Sequence, residues 1–151
     1  MTDAELAAHL AEVAGKILLE VRGSGVFQGK SLGKAGDETA NQFLVHALRE
    51  QRPEDGLLSE ESKSRVWIVD PVDGTREYGE ERADWAVHVA LCIDGRPEIG
   101  AVALPGLGLV LRTDTPAAVP DAAGTPRMVV SRTRPAAEAV SVAETIGAEL
   151  V

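Results

Sequence analysis

Trp67-Ile68-Val69-Asp70-Pro71-Val72-Asp73-Gly74-Thr75-Arg76-Glu77-Tyr78 is the stretch on which the reading of this chain turns. The apolar run ending at Val69 reads as a buried strand. Pro71 lacks the N–H that a ladder needs, and Gly74 permits a tight turn. The strand is therefore expected to stop at Asp70, with Asp70 and Asp73 at its exit and a helix opening near Thr75. Two carboxylates there can gather a hard cation, and free backbone N–H groups beside them can receive an anion. The combination suits metal-assisted chemistry on a phosphate ester.

A second acidic element precedes it. Leu57-Leu58-Ser59-Glu60-Glu61-Ser62 reads as a short apolar strand ending in adjacent glutamates. If the two strands are neighbours, Glu60, Asp70 and Asp73 converge, and such like charges repel unless a cation neutralises them. Mg²⁺ fits, since it takes a few carboxylates and completes its octahedron with waters and phosphate oxygens. Each element alone also suits a solvated strand end or an ordinary turn. Both together, in this order, favour a site.

Working outward, Thr2-x-x-Glu5 reads as a capping box for a helix with Leu6, Leu10, Val13, Ile17 and Val21 on its inner face, ended by Gly23-Ser24-Gly25. A loop carrying Lys30 and Lys34 leads to a second helix from about Asp37 to Arg49, with Phe43, Leu44 and Leu48 inward. Asp37 suits an N-cap there, which leaves one carboxylate oxygen free for another role. After the acidic core, Trp85, Val87, Val89 and Leu91 alternate with Ala86, His88, Ala90 and Cys92. Asp94-Gly95 reads as a hairpin turn into 99–104, and Pro105-Gly106 turns again into 109–113. His88 falls mid-strand, away from the acidic elements, and is expected to be a packed or hydrogen-bonded histidine rather than a ligand. A last strand at 127–130 and a helix from Pro135 to about Ile146 follow a loop at 115–126. The fold class is α+β, helices layered on an antiparallel sheet.

Composition bounds the function. The chain has 151 residues and a net charge of −9, which argues against a nucleic acid polymer or an anionic membrane as partner. A bound Mg²⁺ would still let an acidic protein handle phosphorylated small molecules. Cys92 is the single cysteine, reads as a core residue and excludes an internal disulfide. The acidic N-terminus has no basic n-region of a signal peptide, and no apolar run approaches the roughly 18–20 residues of a membrane span. A cytoplasmic location is expected.

The Asp70-Pro71-x-Asp73-Gly74-Thr75 core, preceded by Glu60-Glu61 and by Gly36-Asp37, resembles the inositol monophosphatase superfamily of Mg²⁺-dependent, lithium-sensitive phosphatases. Within it, Gly36-Asp37-Glu38-Thr39-Ala40-Asn41, Ser59-Glu60-Glu61 and Asp84-Trp85-Ala86-Val87-His88 look most like 3'(2'),5'-bisphosphate nucleotidases. Those enzymes act on 3'-phosphoadenosine 5'-phosphate, a by-product of sulfate activation. The resemblance implies the N-terminal half of a layered α/β/α/β/α sandwich. It also implies one metal on Glu60, Asp70 and the Val72 carbonyl, and a second on Asp70 and Asp73. Asp37 and Thr75 would hold the attacking water or a third metal, and the Gly74 and Thr75 amides, beside Asp73, would take the phosphate. Glu60, Asp37 and Thr75 are thus the implied catalytic set, acting by attack of a metal-activated water without a phosphoenzyme. Ser131, Arg132 and Thr133 match a segment that holds the nucleoside end; a capped helix start with solvated arginines is the alternative.

Two departures qualify the resemblance. The superfamily completes its second metal site with a Trp-Asp motif in its C-terminal half. None follows Thr75 here, and Asp84-Trp85 has the reverse order. Residues 1–151 are therefore expected to be an N-terminal metal-binding catalytic domain without its C-terminal partner. Lys34-Ala35-Gly36-Asp37 also replaces the Ser-Pro-x-Thr approach of many relatives. The expected function is a phosphomonoesterase acting on 3'-phosphoadenosine 5'-phosphate. Inositol monophosphatase or fructose-1,6-bisphosphatase activity is the alternative within the class. Outside it stand an inactive metal-binding remnant and an interaction subunit that homodimerises through an uncovered apolar sheet edge.

Overall fold

Thr2 opens α1 (Asp3–Gly23) as the sequence expects. Its hydroxyl accepts the Glu5 N–H at 3.2 Å, and the Glu5 carboxylate accepts the Thr2 N–H at 2.7 Å. The computed structural model describes residues 1–57, 63–118, 124–131 and 133–151. The chain divides into two compact units, Met1–Ala117 and Ala118–Val151.

In the first unit α1 and α2 (Gly29–Gln51) are followed by β1 (Gly56–Leu57), β2 (Arg65–Asp73), the short α3 (Thr75–Gly79), β3 (Ala86–Ile93), β4 (Arg96–Leu104), a 3-10 turn at Pro105–Leu107 and β5 (Leu109–Arg112). The strands form one sheet in sequence order. β2 to β5 make the expected antiparallel meander, whereas β1 pairs parallel to β2. Asp94 and Gly95 close the β3–β4 hairpin with φ of 49° and 75°. Two successive left-handed residues give the turn whose twist matches the strands it joins.

One face of the sheet carries Trp67, Val69, Val87, Val89, Leu91, Ala101 and Ala103, all buried. Both long helices pack on the sheet, α1 over β3 and β4, α2 over β2. The inner stripe of α1 differs from expectation. Leu6 and Leu10 are buried, but Val13, Ile17 and Val21 are only half-buried, and Ala7, Ala11, Ala14 and Leu18 are fully enclosed. Small side chains let the helix axis approach its neighbours closely. At Gly15 a Cβ would lie 2.6 Å from Cγ of Pro105.

β2 does not stop at Asp70; it runs through Pro71 to Asp73. Asp70 stands opposite His88, but Asp73 stands opposite Ala86. β2 therefore carries one more residue than β3 across this interval. Pro71 sits inside that bulge, where no ladder N–H is required of it.

α2 also departs from expectation. It begins at Gly29, so Lys30 and Lys34 lie on a helix rather than in a loop, and Asp37 is not its N-cap. The Ser31 hydroxyl closes the first turn, donating to the Gln28 carbonyl at 2.8 Å and accepting the Gln28 N–H at 3.2 Å.

In the second unit β6 (Arg127–Met128) pairs parallel with β7 (Glu149–Leu150), and α4 (Ala137–Ile146) lies between them in sequence. Among the described residues no helix is long and apolar enough to cross a membrane.

Candidate active site

In a regular strand, residues three positions apart point to opposite faces. Asp70 and Asp73 do not. The extra residue at Pro71–Val72 turns the parity over, so Val72 is buried and both carboxylates are exposed on the face away from the helices. The bulge is held locally. The Val72 N–H donates to Oδ1 of Asp70 at 3.2 Å, and the Thr75 hydroxyl donates to the Val72 carbonyl at 2.9 Å. Gly74 follows with φ of 82°, a left-handed conformation that favours glycine. A Cβ there would also lie 3.3 Å from the Asp84 carbonyl.

Three glycines bring the second helix to this turn. A Cβ on Gly33 would meet Cγ2 of Thr75 at 3.0 Å, one on Gly36 would meet Cε1 of Tyr78 at 2.5 Å, and one on Gly79 would meet the Gly29 carbonyl at 2.6 Å. α2 thus lies against α3 with no α2 side chain between them at Gly33 and Gly36. Asp37, next to Gly36, is carried alongside Asp70. Burial, then the charge of Asp70 and that of Glu38, push the Asp37 carboxyl above the usual carboxylate range.

Behind the turn, the buried Tyr78 hydroxyl donates to the Leu18 carbonyl at 2.7 Å, and its ring meets Trp85 edge-on at 5.0 Å. The Arg22 guanidinium lies over both rings, 5.7 Å and 5.5 Å from their centroids. It also donates to the Arg82 carbonyl at 2.8 Å. Beside Asp73 and Gly74 a pocket of about 470 Å³ is walled by Ala83, Asp84, Trp85, Ala86, Leu104 and Leu107.

The donor set fits a hard cation of the Mg²⁺ kind. Among the described residues, no three His, Cys, Asp or Glu side chains close a cation site by themselves. Mg²⁺ does not need such a cage, because it binds through one or two carboxylates and keeps waters and phosphate oxygens. Asp70 and Asp73 on one face, with Asp37 close enough to feel the charge of Asp70, provide those carboxylates, and the Val72 carbonyl has a second lone pair.

Ser59, Glu60 and Glu61, the second acidic element, lie outside the described residues, as does Arg132. Ser131 and Thr133 belong to the second unit, where the Ser131 hydroxyl accepts the Arg134 N–H at 3.2 Å. His88 overturns one expectation. It is hydrogen-bonded, as anticipated, but it is not away from the acidic elements: its Nε2 lies 3.2 Å from Oδ2 of Asp73. Sequence reasoning missed this because the parity of Asp73 depends on the bulge. It also read Lys30 and Lys34 as loop residues, and so did not find Gly33 and Gly36 as contact points of α2 with α3.

A model of the inositol monophosphatase family matches residues 2–148. The 3'-phosphoadenosine 5'-phosphate phosphatase of Mycobacterium leprae is 48% identical, over 89% of this chain and 58% of its own length. That of Mycobacterium bovis is 48% identical over 91% and 59%. The chain spans about three-fifths of the length of these relatives. Among solved structures, a staphylococcal IMPase-II superposes with a TM-score of 0.78 over 99% of this chain and 65% of that one, at 19% identity, a likeness of fold. The Asp-Pro-x-Asp-Gly-Thr turn, the bulge that aims its carboxylates and the two helices behind the sheet all fall within the matched span, and the chain belongs to the inositol monophosphatase family.

Proposed function

We propose that this chain supplies the metal- and phosphate-binding part of a Mg²⁺-dependent phosphomonoesterase acting on 3'-phosphoadenosine 5'-phosphate, with AMP and phosphate as products. The observation that carries the reading is the one-residue bulge that turns Asp70 and Asp73 to the same side of the sheet, beside Asp37. The phosphatase names of the relatives at 48% identity support the substrate.

On the resemblance, Glu60, Asp70 and the Val72 carbonyl would hold one cation, and Asp70 and Asp73 would hold a second. When bound, Mg²⁺ supplies neutralising charge and Lewis acidity at the phosphoryl oxygens. The amides of Gly74 and Thr75 receive the scissile phosphate; those at the start of α3 have no intrahelical acceptor. Asp37 and Thr75 hold the attacking water. The Thr75 hydroxyl proton is committed to the Val72 carbonyl, so its oxygen is left to accept from that water. The raised Asp37 carboxyl suits acceptance of the water proton. The water oxygen bonds to phosphorus as the bond from phosphorus to the ribose oxygen breaks; that oxygen takes a proton from solvent water and leaves as the free hydroxyl, and Asp37 returns its proton to solvent. The pocket beside Gly74 offers apolar walls to the leaving alcohol, and Ser131, Arg132 and Thr133 are assigned to its nucleoside end on the resemblance alone.

The test is Mg²⁺-dependent phosphate release by the chain from 3'-phosphoadenosine 5'-phosphate, inositol 1-phosphate and fructose 1,6-bisphosphate, with Asp73→Asn as control. Release from the first substrate that Asp73→Asn abolishes is expected. Preference for either of the other two would move the substrate assignment. A folded chain that turns over none of them would instead be a non-catalytic remnant or an interaction subunit, which concentration-dependent size would separate.

A further inference from the structure

We infer that His88 is a positioning residue that orients the Asp73 carboxylate for cation binding, a role that rests on the metal site proposed above. An ionised carboxylate only accepts hydrogen bonds, so at 3.2 Å from Oδ2 of Asp73 it is Nε2 of His88 that carries the proton. That bond occupies one oxygen of Asp73 and leaves Oδ1 with its lone pairs for a cation.

The backbone sets up the contact. His88 stands directly opposite Asp70 on β2 and opposite Val102 on β4, so hydrogen-bonded strands hold it on both sides. Asp73 stands opposite Ala86, two residues along β3 on the same face, which makes His88 its diagonal neighbour. Asp73 itself is the last residue of β2, followed by the left-handed Gly74, and its side chain is 63% exposed. At such an exposed side chain the hydrogen bond to the imidazole favours one of the staggered rotamers.

Stability does not explain the pair. With His88 40% exposed and Asp73 63% exposed, an ionic contact contributes little to folding. Outer partners of metal-binding side chains act instead on the site, and their loss typically weakens cation affinity about 10–100-fold.

The test is calorimetric titration of the whole chain with Mn²⁺, the probe for the Mg²⁺ site, on wild type, His88→Ala, His88→Gln and Asp73→Asn. Gln places an N–H donor near the position of Nε2, whereas Ala removes it. His88→Ala is expected to bind Mn²⁺ about tenfold more weakly, His88→Gln to recover most of that loss, and both to keep the cation-free melting temperature. If wild type binds Mn²⁺, Asp73→Asn weakens it and His88→Ala leaves it unchanged, the role of His88 is overturned while the metal site stands. The role is also overturned if Gln binds as weakly as Ala. A wild-type chain that takes up no Mn²⁺ overturns the metal site and this role with it.

Discussion

Gly36 of α2 lies against the ring of Tyr78 so closely that a Cβ on the glycine would sit 2.5 Å from Cε1 and 3.0 Å from Cζ, with Cδ2 of Leu18 at 3.0 Å on another side. Tyr78 cannot retreat, because its hydroxyl is tied to the Leu18 carbonyl and its ring is wedged against Trp85. Gly36→Ala gains about 1 kcal/mol in helix propensity but forces an overpacked contact that typically costs about 1–3 kcal/mol. Urea unfolding should show a net loss in Gly36→Ala. Gly23→Ala, at the end of α1 where a Cβ meets nothing within 4 Å, should be neutral or slightly stabilising.

The acid limb of stability should depend on Arg65. Its guanidinium donates to Asp55 at 2.8 Å and 3.2 Å and to Asp3 at 2.8 Å, joining β2 to the first turn of α1. Burial raises the Asp3 carboxyl, but hydrogen bonds and charge from Arg65 and Arg52 outweigh it, and the net shift is downward. A carboxyl held low in the folded state stabilises above its unfolded value, near 3.9, and that stability disappears as pH falls through the folded value. Arg65→Met should cost about 1–3 kcal/mol at pH 7. Its unfolding free energy should also fall less steeply than that of wild type below pH 4, as measured by urea titration across pH.

What the sequence made legible was local. The Thr2–Glu5 box, the Asp94-Gly95 turn and the alternation of Trp85, Val87, Val89 and Leu91 depend on neighbours in the chain, and each is found in place. Apart from the locally capped start of α2, the misreadings involve partners far away in sequence. Pro71 looked like a strand end because a regular ladder has no room for it; pairing with β3 supplies the bulge. The stretch of Lys30 and Lys34 looked like a loop because the value of Gly33 and Gly36 lies in the backbone of α2 touching Thr75 and Tyr78. The inner face of α1 was drawn through Leu6, Leu10, Val13, Ile17 and Val21 at helical spacing, whereas the fully enclosed positions are Ala7, Ala11, Ala14 and Leu18. His88 followed from the bulge, so missing one meant missing the other.

Asp70 is assigned to both cations, and no described side chain can take over its place opposite His88. Asp70→Asn keeps an acceptor for the Val72 N–H, now at 3.2 Å, so the bulge should survive and circular dichroism should be unchanged. Turnover should nevertheless fall by more than about 100-fold, beyond what loss of an outer partner causes. Near-wild-type turnover in a folded Asp70→Asn chain would remove the basis of the metal assignment.

The charge on Asp37 should work against the cation-free fold and for the loaded one. Burial and the neighbouring Asp70 raise its carboxyl above the usual value, so the folded chain prefers it protonated. The stability linked to that preference is complete below the unfolded value, near 3.9, and is lost as pH rises through the folded one. In EDTA at pH 7, Asp37→Asn should therefore melt above wild type, and the gap should close as pH falls below 4. Saturating Mg²⁺ should reverse the order. A ligand that binds only the folded state at 100 times its Kd adds about 2.7 kcal/mol, and wild type should gain more of this than the variant. Thermal melts of both chains, with EDTA and with Mg²⁺, check the crossing. If Asp37→Asn melts below wild type in EDTA, Asp37 is not strained by its neighbours, and the carboxylates are not gathered as the site requires.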